Sequence, residues 1–559
     1  MERKINFKKY KKELLFLPLG GAGEIGMNLN LYHYNGQWLI VDLGLGFAEF
    51  DLPGIDIVVP NINFIIQEIK DNIVGLVLTH AHEDHIGAVP YLWSEIECPV
   101  YATKFTASVI RAKCKEYGLL DKMKLIETQP NNPFQLGGFD INMIPITHSI
   151  PEMNGLVIKT EKGQVFHTGD WKFDEDPIIG KATNEKQLQA IGDSNILAMV
   201  GDSTNIFDKK HSGSEGKLRG SLEGLITKPR KGLIIVTTFA SNVARLQSIV
   251  GIAKKAKRKV VLLGRSLYRI YAAAKEAGYL QDIEIYDEKQ IKKFKRHELL
   301  VICTGCQGEA LAAVNKIANK KHPSIKLLED DIVIFSSKII PGNEKQIYTL
   351  FNKLAEINTN VINERNEFVH VSGHPSCEEV MKMYSYIKPK IAIPVHGEAV
   401  HLREHCRVAK GIGIPHAINI RNGDVLLLNE TKPEKIGKVE VGYYAIDGNL
   451  ILDSGNEIIK KRKILRDNGA VFVTLIINAK KKIAQDVHIN APGVFEDDED
   501  KEILDALKVN VVNTFASLHT VNKSMIKSSI ESSIKKHIRK LIAKTPLVCM
   551  NIMIFQKSF

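Results

Sequence analysis

The chain of 559 residues has few of the features that mark secreted or membrane proteins. It contains only seven cysteines, an odd number, so we expect no disulfide framework and a reducing compartment. No apolar run reaches the roughly 18 to 20 residues that a membrane span needs. The basic N-terminus runs into glycines without a cleavage motif, which predicts no signal peptide. These absences predict a cytoplasmic protein with no membrane partner.

The remaining composition is that of an ordinary globular protein, with 44% hydrophobic and 25% charged residues. The length suits three or four domains of about 150 residues each. Lysine and arginine number 75 against 64 acidic residues, a net charge of +11. This excess favours an anionic partner such as nucleic acid, although a soluble protein of this size can carry it without one.

The pattern of apolar residues changes along the chain. The first 200 residues are short strands punctuated by glycine, with a hairpin turn at Asn35-Gly36, typical of a mixed α/β sandwich. From Leu233 to Ile357, continuous apolar strands alternate with helices, which predicts a parallel sheet covered on both faces. Beyond Gly442 we expect a strand pair, one further strand and a final helical region. The basic segment Val521–Lys544 is either a solvated helix face or an RNA contact, and both remain open.

A GxGxxG pattern at Gly21–Gly26 follows the first strand and suggests a dinucleotide site. That motif requires a helix next, so that the helix N-terminus faces the pyrophosphate. The residues that follow instead alternate with period two and turn at Asn35-Gly36. We therefore predict a glycine-rich loop before a hairpin, without dinucleotide binding.

The strongest signal is the run His80-Ala81-His82-Glu83-Asp84-His85, directly after an apolar strand. Burying so many polar side chains together is costly without a metal ion to bind them. Imidazole and carboxylate ligands suit zinc or manganese. Further candidate ligands close later strands, namely His148, Asp170 and His396. His167 is close to Asp170 in sequence, but we expect it to support the site rather than bind metal.

This order of residues resembles the metallo-β-lactamase superfamily. The resemblance implies an αββα sandwich in which Asp42 is the first motif. It also implies two divalent metal ions, zinc first and manganese as the alternative. One ion would be held by His80, His82 and His148, the other by Asp84, His85 and His396, with Asp170 bridging them.

The chain between Asp170 and His396 is far longer than a simple sandwich needs, and the α/β region described above fills it. This is similar to the β-CASP group of nucleases, whose further motifs are present as Asp202, His374 and His396. Within that group the chain resembles bacterial ribonuclease J over residues 12–430. The matching blocks are FLPLGGAGEIGMN, THAHEDHIGAVPYL, HTGDWKFD, GDSTN, TTFASN, TGCQGE, HVSGHPS and PVHGE.

The resemblance implies an α/β fold with a metallo-β-lactamase αββα sandwich, an inserted β-CASP α/β domain and a small α+β C-terminal domain. The expected boundaries are 1–206 and 367–430 for the sandwich, 207–366 for the insertion, 431–455 for a linker and 456–559 for the C-terminal domain. It further implies a homo-oligomer, dimer or tetramer, and partners in an RNA-degradation complex.

The implied activity is hydrolysis of single-stranded RNA, 5′→3′ from a 5′-monophosphate and also internally, in mRNA decay and rRNA maturation. A hydroxide between the two metals would attack phosphorus and leave 3′-OH and 5′-phosphate ends. By the same resemblance Asp84, His374 and Asp202 are catalytic. The phosphate grip would consist of His370, Val371, Ser372, Gly373 and His374.

Two local features depart from the family pattern. Cys303 and Cys306 form a CxxC, but no second pair of ligands follows, so we expect small buried residues rather than a zinc site. An additional structural divalent ion of the calcium type would fall at Glu49, Asp51 and Asp447, where the local sequence differs from the usual one.

Three other functions remain open from the sequence. A small-molecule metallohydrolase shares the histidine run but lacks the insertion. A β-CASP nuclease with another nucleic-acid specificity shares both. An inactive RNA-binding scaffold would have lost metal ligands, whereas all seven are present here.

Overall fold

The computed structural model describes residues 5–48, 51–478, 482–518 and 522–555. The chain folds into two compact units. The larger comprises Met1–Gly46 and Val59–Gly442, and the smaller comprises Phe47–Val58 and Tyr443–Phe559.

The larger unit contains two facing sheets. The first runs, in spatial order, Glu434–Lys438, Asp424–Leu427, Leu15–Gly20, Leu29–Tyr34, Gln37–Val41, Ile73–Val77, Val100–Ala102 and Leu125–Glu127. The second runs Phe134–Leu136, Phe139–Pro145, Asn154–Thr160, Gly163–His167, Ile196–Asp202, Ile391–Val395 and His416–Ala417. Side chains such as Phe16, Leu39, Phe139 and Ile158 fill the space between the sheets and are fully buried.

Helices cover the outer faces of these sheets. They are Val89–Ile96, Lys104–Glu116, Glu185–Gly192, Cys377–Ile387 and Ala399–Gly411. On one side, Val380 and Ile387 bury against Phe166 and Met199 of the second sheet. This confirms the predicted αββα sandwich. Strand Glu434–Lys438, in the segment predicted as a linker, extends the first sheet.

Strand direction brings the candidate ligands to one edge of the sandwich. Strands Gly163–His167, Ile196–Asp202 and Ile391–Val395 are mutually parallel. Strand Phe139–Pro145 has the same direction, because two antiparallel pairings separate it from Gly163–His167. In the first sheet, Gln37–Val41 and Ile73–Val77 are likewise parallel. The carboxyl ends of these strands carry the polar residues that the sequence singled out.

The insertion is a five-stranded, wholly parallel sheet, as predicted. Its spatial order is Lys259–Leu263, Leu299–Cys303, Ile234–Thr237, Ile332–Phe335 and Asn360–Ile362. The helices are Glu215–Ile226, Val243–Lys255, Arg265–Ala277, Ala313–Ala318 and Glu344–Ala355. Cys303 and Cys306 are buried, and burial raises the pKa of both thiols, that of Cys306 to about 12.

The smaller unit has a core of its own. Strand Ala470–Asn478 pairs parallel with Leu547–Phe555 and antiparallel with His488–Asn490. Helices Lys501–Ala516 and Lys523–Ile542 pack on this sheet, the second through Ile526, Ile530, Ile534 and Ile538 at four-residue spacing. A predicted strand pair is present as Tyr443–Asp447 and Leu450–Asp453, and helix Glu457–Asn468 follows it. Strand Leu547–Phe555, the last of the chain's described elements, was not anticipated from the sequence.

Within the part of the chain that the structure describes, no helix combines the length and apolar character that crossing a bilayer requires.

A buried ion pair joins two helices of the insertion. Glu215 on helix Glu215–Ile226 accepts hydrogen bonds from Arg245 on helix Val243–Lys255 at 2.8 and 2.9 Å, and both residues are almost fully buried. Burial alone would raise the pKa of Glu215, but Arg245 outweighs it and lowers the pKa to about 2. The carboxylate therefore stays charged in the folded protein.

We expect Glu215→Gln to destabilise the larger unit by about 3 kcal/mol or more, because it leaves the buried Arg245 charge uncompensated. The midpoint of thermal unfolding, followed by differential scanning fluorimetry, measures this loss. Glu223→Gln is the matched control, since Glu223 and Lys255 form an exposed pair between the same two helices at 2.8 Å. A smaller loss for Glu215→Gln than for Glu223→Gln would contradict the expectation.

The same pair predicts a pH dependence. Because the pKa of Glu215 falls from 4.5 to about 2 on folding, its stabilisation is complete above pH 4.5. It should disappear as the pH falls from 4.5 towards 2. The difference in unfolding midpoint between wild type and Glu215→Gln should shrink over that interval.

Candidate metal centre

The histidine run follows strand Ile73–Val77 and turns into the short helix Glu83–Ile86. Asn28, two residues after the glycine-rich loop, and Gly44, after the hairpin, contact this turn. Asn28 N–H donates to the Asp84 carbonyl at 2.9 Å, and a Cβ at Gly44 would lie 1.7 Å from that same oxygen. Only glycine permits this approach. These contacts hold the turn of the candidate metal centre, and the glycine-rich loop is followed by strands Leu29–Tyr34 and Gln37–Val41 rather than by a helix, as predicted.

Three imidazoles converge on one point. His80 Nε2 lies 3.1 Å and His148 Nε2 lies 3.0 Å from His82 Nδ1. Ligands bound to one zinc ion at about 2.0 Å are separated by roughly this distance. Burial lowers the pKa of all three rings, that of His82 to about 4, so they present neutral nitrogens. Neutral imidazole is the form that binds a divalent cation.

A second group lies beside the first. His396 Nε2 is 3.0 Å from Asp84 Oδ2 and 3.4 Å from Asp170 Oδ2, and His85 Nε2 is 3.2 Å from Asp170 Oδ2. Burial alone would lower the pKa of His396, but Asp170 and Asp84 outweigh it and raise the pKa to about 9. Ligand atoms of both groups, Asp170 included, could therefore meet on two ions that share one carboxylate.

Hydrogen bonds fix which ring nitrogen points inward. Thr79 Oγ1 donates to Asp42 and so accepts from His80 Nδ1 at 3.0 Å. His85 Nδ1 donates to Asp42 Oδ2 at 2.7 Å. In each ring the proton sits on Nδ1 and leaves the lone pair of Nε2 facing the cluster, as metal-binding histidines require.

The other two rings are oriented from more distant parts of the chain. Thr204 Oγ1 donates to Asp202 and accepts from His396 Nδ1 at 2.7 Å. His148 Nδ1 donates to the Gly373 carbonyl at 2.6 Å. Sequence reasoning missed Thr204 in this role, and its position in GDSTN beside Asp202 was the only available signal.

Two of these residues adopt left-handed backbone conformations. Asp42 has φ 63° and His396 has φ 51°, which residues other than glycine rarely adopt. Both lie directly after a strand and aim a side chain into the cluster. Such strain is typical of functional sites, where the surrounding structure maintains it.

His374 borders the cluster, and its side chain is 25% exposed. Its Nδ1 lies 2.8 Å from Asp202 Oδ2 and 3.8 Å from Asp170 Oδ2. Burial alone would lower the pKa of His374, but Asp202 outweighs it and raises the pKa. The ring thus has one nitrogen bonded to a carboxylate and the other free of any hydrogen bond among the described residues.

The predicted phosphate grip lies next to the metal ligands. A Cβ at Gly373 would be 2.9 Å from His148 Cε1, so this position needs glycine. Ser372 Oγ accepts from Asn205 Nδ2 at 2.7 Å and from His374 N–H at 3.0 Å. Val371 is buried against Gly213, so only its backbone can reach a ligand. His370 Nδ1 is buried without a hydrogen-bond partner.

The weaker candidates lie elsewhere. His167 is buried and hydrogen-bonds Tyr32 through Nδ1 at 3.0 Å, outside the metal-binding groups. For the structural ion, Glu49 lies outside the described residues. Asp51 pairs with Lys463 at 2.6 Å and Asp447 with Arg462 at 2.7 Å. That ion stays a prediction.

Family models match most of the chain. They are the ribonuclease J β-CASP domain at residues 231–354, a beta-lactamase superfamily domain at 52–187, a Zn-dependent metallo-hydrolase RNA specificity domain at 360–418 and the ribonuclease J C-terminal domain at 457–555. The matches confirm the predicted combination of sandwich, insertion and C-terminal domain.

Curated relatives agree with these matches. Ribonuclease J of Sinorhizobium meliloti is 38% identical, with 91% of both chains covered. Ribonuclease J 1 of Streptococcus pyogenes is 34% identical, with 93% of this chain and 95% of the relative covered. A crystal structure of a protein of unknown function from Enterococcus faecalis shares the fold, with 16% identity, a TM-score of 0.53 and coverage of 74% of this chain and all of that one. This chain belongs to the ribonuclease J family of the metallo-β-lactamase superfamily.

Proposed function

We propose that this protein is a metal-dependent ribonuclease that degrades single-stranded RNA 5′→3′ from a 5′-monophosphate and also cleaves it internally. The observation that carries the proposal is the contact between Gly373 and His148. Through this bond the half-buried loop 372–374 is one hydrogen bond from His148, a candidate metal ligand. A 5′-phosphate held by that loop would put the first phosphodiester at the metal cluster.

The donor set suits two divalent ions, zinc first and manganese as the alternative. His80, His82 and His148 would hold one, Asp84, His85 and His396 the other, and Asp170 both. When bound, the ions would lower the pKa of a water between them and neutralise charge on the scissile phosphate. The +11 charge of the chain favours an RNA substrate.

The protein side chains supply the remaining steps. Asp84, at the cluster, orients the attacking water towards phosphorus. As the bond from phosphorus to the 3′-oxygen breaks, the free nitrogen of His374 donates a proton to that oxygen, which leaves as a 3′-hydroxyl. Asp202 holds His374 in place through its other nitrogen at 2.8 Å. The remaining RNA keeps a 5′-phosphate and can enter the next cycle.

The same 5′-phosphate is recognised without base-specific contacts. The Ser372 hydroxyl and the Gly373 N–H would bind the phosphate, since backbone N–H groups bind anions in such loops. The N–H of Ser372 instead donates to the Ser212 carbonyl at 3.0 Å, and that of His374 to Ser372 Oγ. Asn205, through its bond to Ser372, keeps this loop against the cluster. Recognition without base-specific contacts suits the broad roles of mRNA decay and rRNA maturation. We further propose that the protein acts in the cytoplasm as a dimer or tetramer.

We expect the wild-type protein to retain two equivalents of zinc or manganese per chain after dialysis, measured by plasma mass spectrometry. His82→Ala removes a ligand of one group only and should lower the content to about one equivalent. Asp170→Ala removes the shared ligand and should lower both. His297→Ala changes an exposed histidine outside the cluster and should have no effect. Two equivalents retained in Asp170→Ala would contradict the shared site.

An RNA with a labelled 5′-monophosphate tests the reaction itself. Wild type should release labelled mononucleotide from the first time point, and His82→Ala should not, whereas His297→Ala should match wild type. The same RNA with a 5′-hydroxyl should be degraded more slowly, because the loop has no phosphate to bind. Labelled longer fragments would show that internal cleavage dominates. No cleavage with either metal would refute a nuclease.

His374→Ala should lower kcat by about 100- to 10,000-fold, the usual contribution of a positioned general acid. Because His374 is not assigned to either metal, the metal content should stay at the wild-type value. Asn205→Ala, which loosens the loop without removing the acid, should instead raise KM for 5′-monophosphate RNA. Loss of metal together with activity in His374→Ala would reassign it as a ligand.

A further inference from the structure

A cavity of about 860 Å³ lies at the boundary between the sandwich and the insertion. One wall is the loop Ile178–Gly180 of the sandwich, and the others are formed by helix Val243–Lys255 and the segment 278–286 of the insertion. The cavity opens at the amino ends of the parallel strands, beside Lys259, the first residue of its strand. The catalytic loop 369–374 contacts the opposite, carboxyl end through Ser336. The cavity is therefore separate from the metal centre.

Its charged residues are predominantly basic. Among the described residues, five cations line the cavity against two acids, Asp282 and Glu284. The cations are Arg219, Lys254, Lys257, Arg258 and Lys259. Lys259 bonds to the Tyr286 hydroxyl, and none of the five forms a salt bridge with a carboxylate in the described part of the chain.

Arg258 is the least expected of these cations, because it is only 7% exposed. Its NH1 donates to the carbonyls of Gly232 and Leu299, at 3.1 and 2.8 Å. Burial and then the positive charge of Arg230 lower the pKa of Arg258, and Arg230 Nε is buried without a hydrogen-bond partner among the described residues. A buried charge is normally paired, so the buried guanidinium of Arg258, without a carboxylate partner among the described residues and beside a cavity, indicates an anion that completes the site.

Part of the lining is apolar, beside the amides of Gln247 and Gln281. Val250, Val260, Leu280 and Ile283 contribute side chains, and Gly251 leaves open space, since a Cβ there would meet nothing within 4 Å. The volume lies within the roughly 300 to 1,000 Å³ typical of small-ligand sites, which often occur at domain boundaries. A cavity lined by both basic and apolar residues suits a ligand that has a phosphate group and a flat organic body.

We propose that this boundary cavity binds a nucleoside phosphate. Its phosphates would lie among Arg219, Lys254 and Arg258, and its base would contact the apolar side chains named above. This assignment does not depend on the reaction at the metal centre. It identifies a second ligand site on the insertion, next to a loop of the sandwich.

Calorimetric titration of the full-length, metal-loaded protein with ADP tests the proposal. ADP should bind at one site per chain, and adenosine and pyrophosphate should each bind at least about tenfold more weakly, because each lacks half of the recognised groups. Lys254→Gln combined with Arg219→Gln should weaken ADP binding by about tenfold or more. Lys255→Gln is the matched control, since Lys255 neighbours Lys254 but pairs with Glu223 away from the cavity.

Gly251→Leu fills the cavity from helix Val243–Lys255 and should abolish ADP binding while leaving the thermal unfolding midpoint unchanged or higher. Gly224→Leu places the same side chain on a neighbouring helix where a Cβ also meets open space, and should bind ADP normally. ADP binding that survives in Gly251→Leu would place the nucleotide at the metal centre and overturn the proposal. Equal binding of pyrophosphate and ADP, or no ADP binding at millimolar concentration, would overturn it as well.

Discussion

A single carboxylate, Asp170, organises the metal centre. Its Oδ2 lies 4.0, 3.2, 3.4 and 3.8 Å from ring nitrogens of His80, His85, His396 and His374. Removing a carboxylate and several imidazoles from water together is costly unless their lone pairs are directed at cations. The protein therefore has to hold every ring in one orientation, and much of the architecture around the centre does this.

The sandwich meets this requirement through strand ends. His148 and Asp170 lie three residues beyond the ends of their strands, which brings both to the same edge of the second sheet. Where the direction is wrong, the backbone bends into the left-handed region, as at Asp42 and His396. Each bend is held by hydrogen bonds from neighbours: His396 N–H donates to the Gly21 carbonyl at 2.6 Å, and Asp42 N–H to that of Val77 at 3.0 Å.

The candidate ligands could be brought together from the sequence because they follow apolar strands, and parallel strands share an edge. The mixed α/β class and the parallel sheet of the insertion followed from the alternation of apolar runs, whereas the αββα arrangement followed from the resemblance to the metallo-β-lactamase superfamily. The second layer of contacts could not be predicted in this way. The Gly373 carbonyl reaches His148 across 225 residues, and Thr204 reaches His396 across 192, so no local pattern encodes either contact.

The errors of sequence reasoning have a similar origin. The final strand, Leu547–Phe555, follows helix Lys523–Ile542 after only four residues, and the helical region was extended through Pro546, a turn signal that was overlooked. Strand Glu434–Lys438 consists largely of charged residues on a sheet edge, and its pairing with Asp424–Leu427 is invisible without the partner strand. Both elements depend on long-range pairing rather than on intrinsic preference.

The insertion and the metal centre are connected by one continuous set of buried bonds. Arg245, held by Glu215, donates to the Ser336 carbonyl at 2.9 Å, and Ser336 Oγ donates to the Val369 carbonyl at 2.7 Å. Val369 begins the loop that ends at His374, and the Gly373 carbonyl in that loop orients His148. A displacement of the insertion large enough to break these hydrogen bonds would therefore change the orientation of the His148 ring. These buried bonds therefore couple the position of the insertion to the loop that carries His374 and to the orientation of His148, a candidate metal ligand.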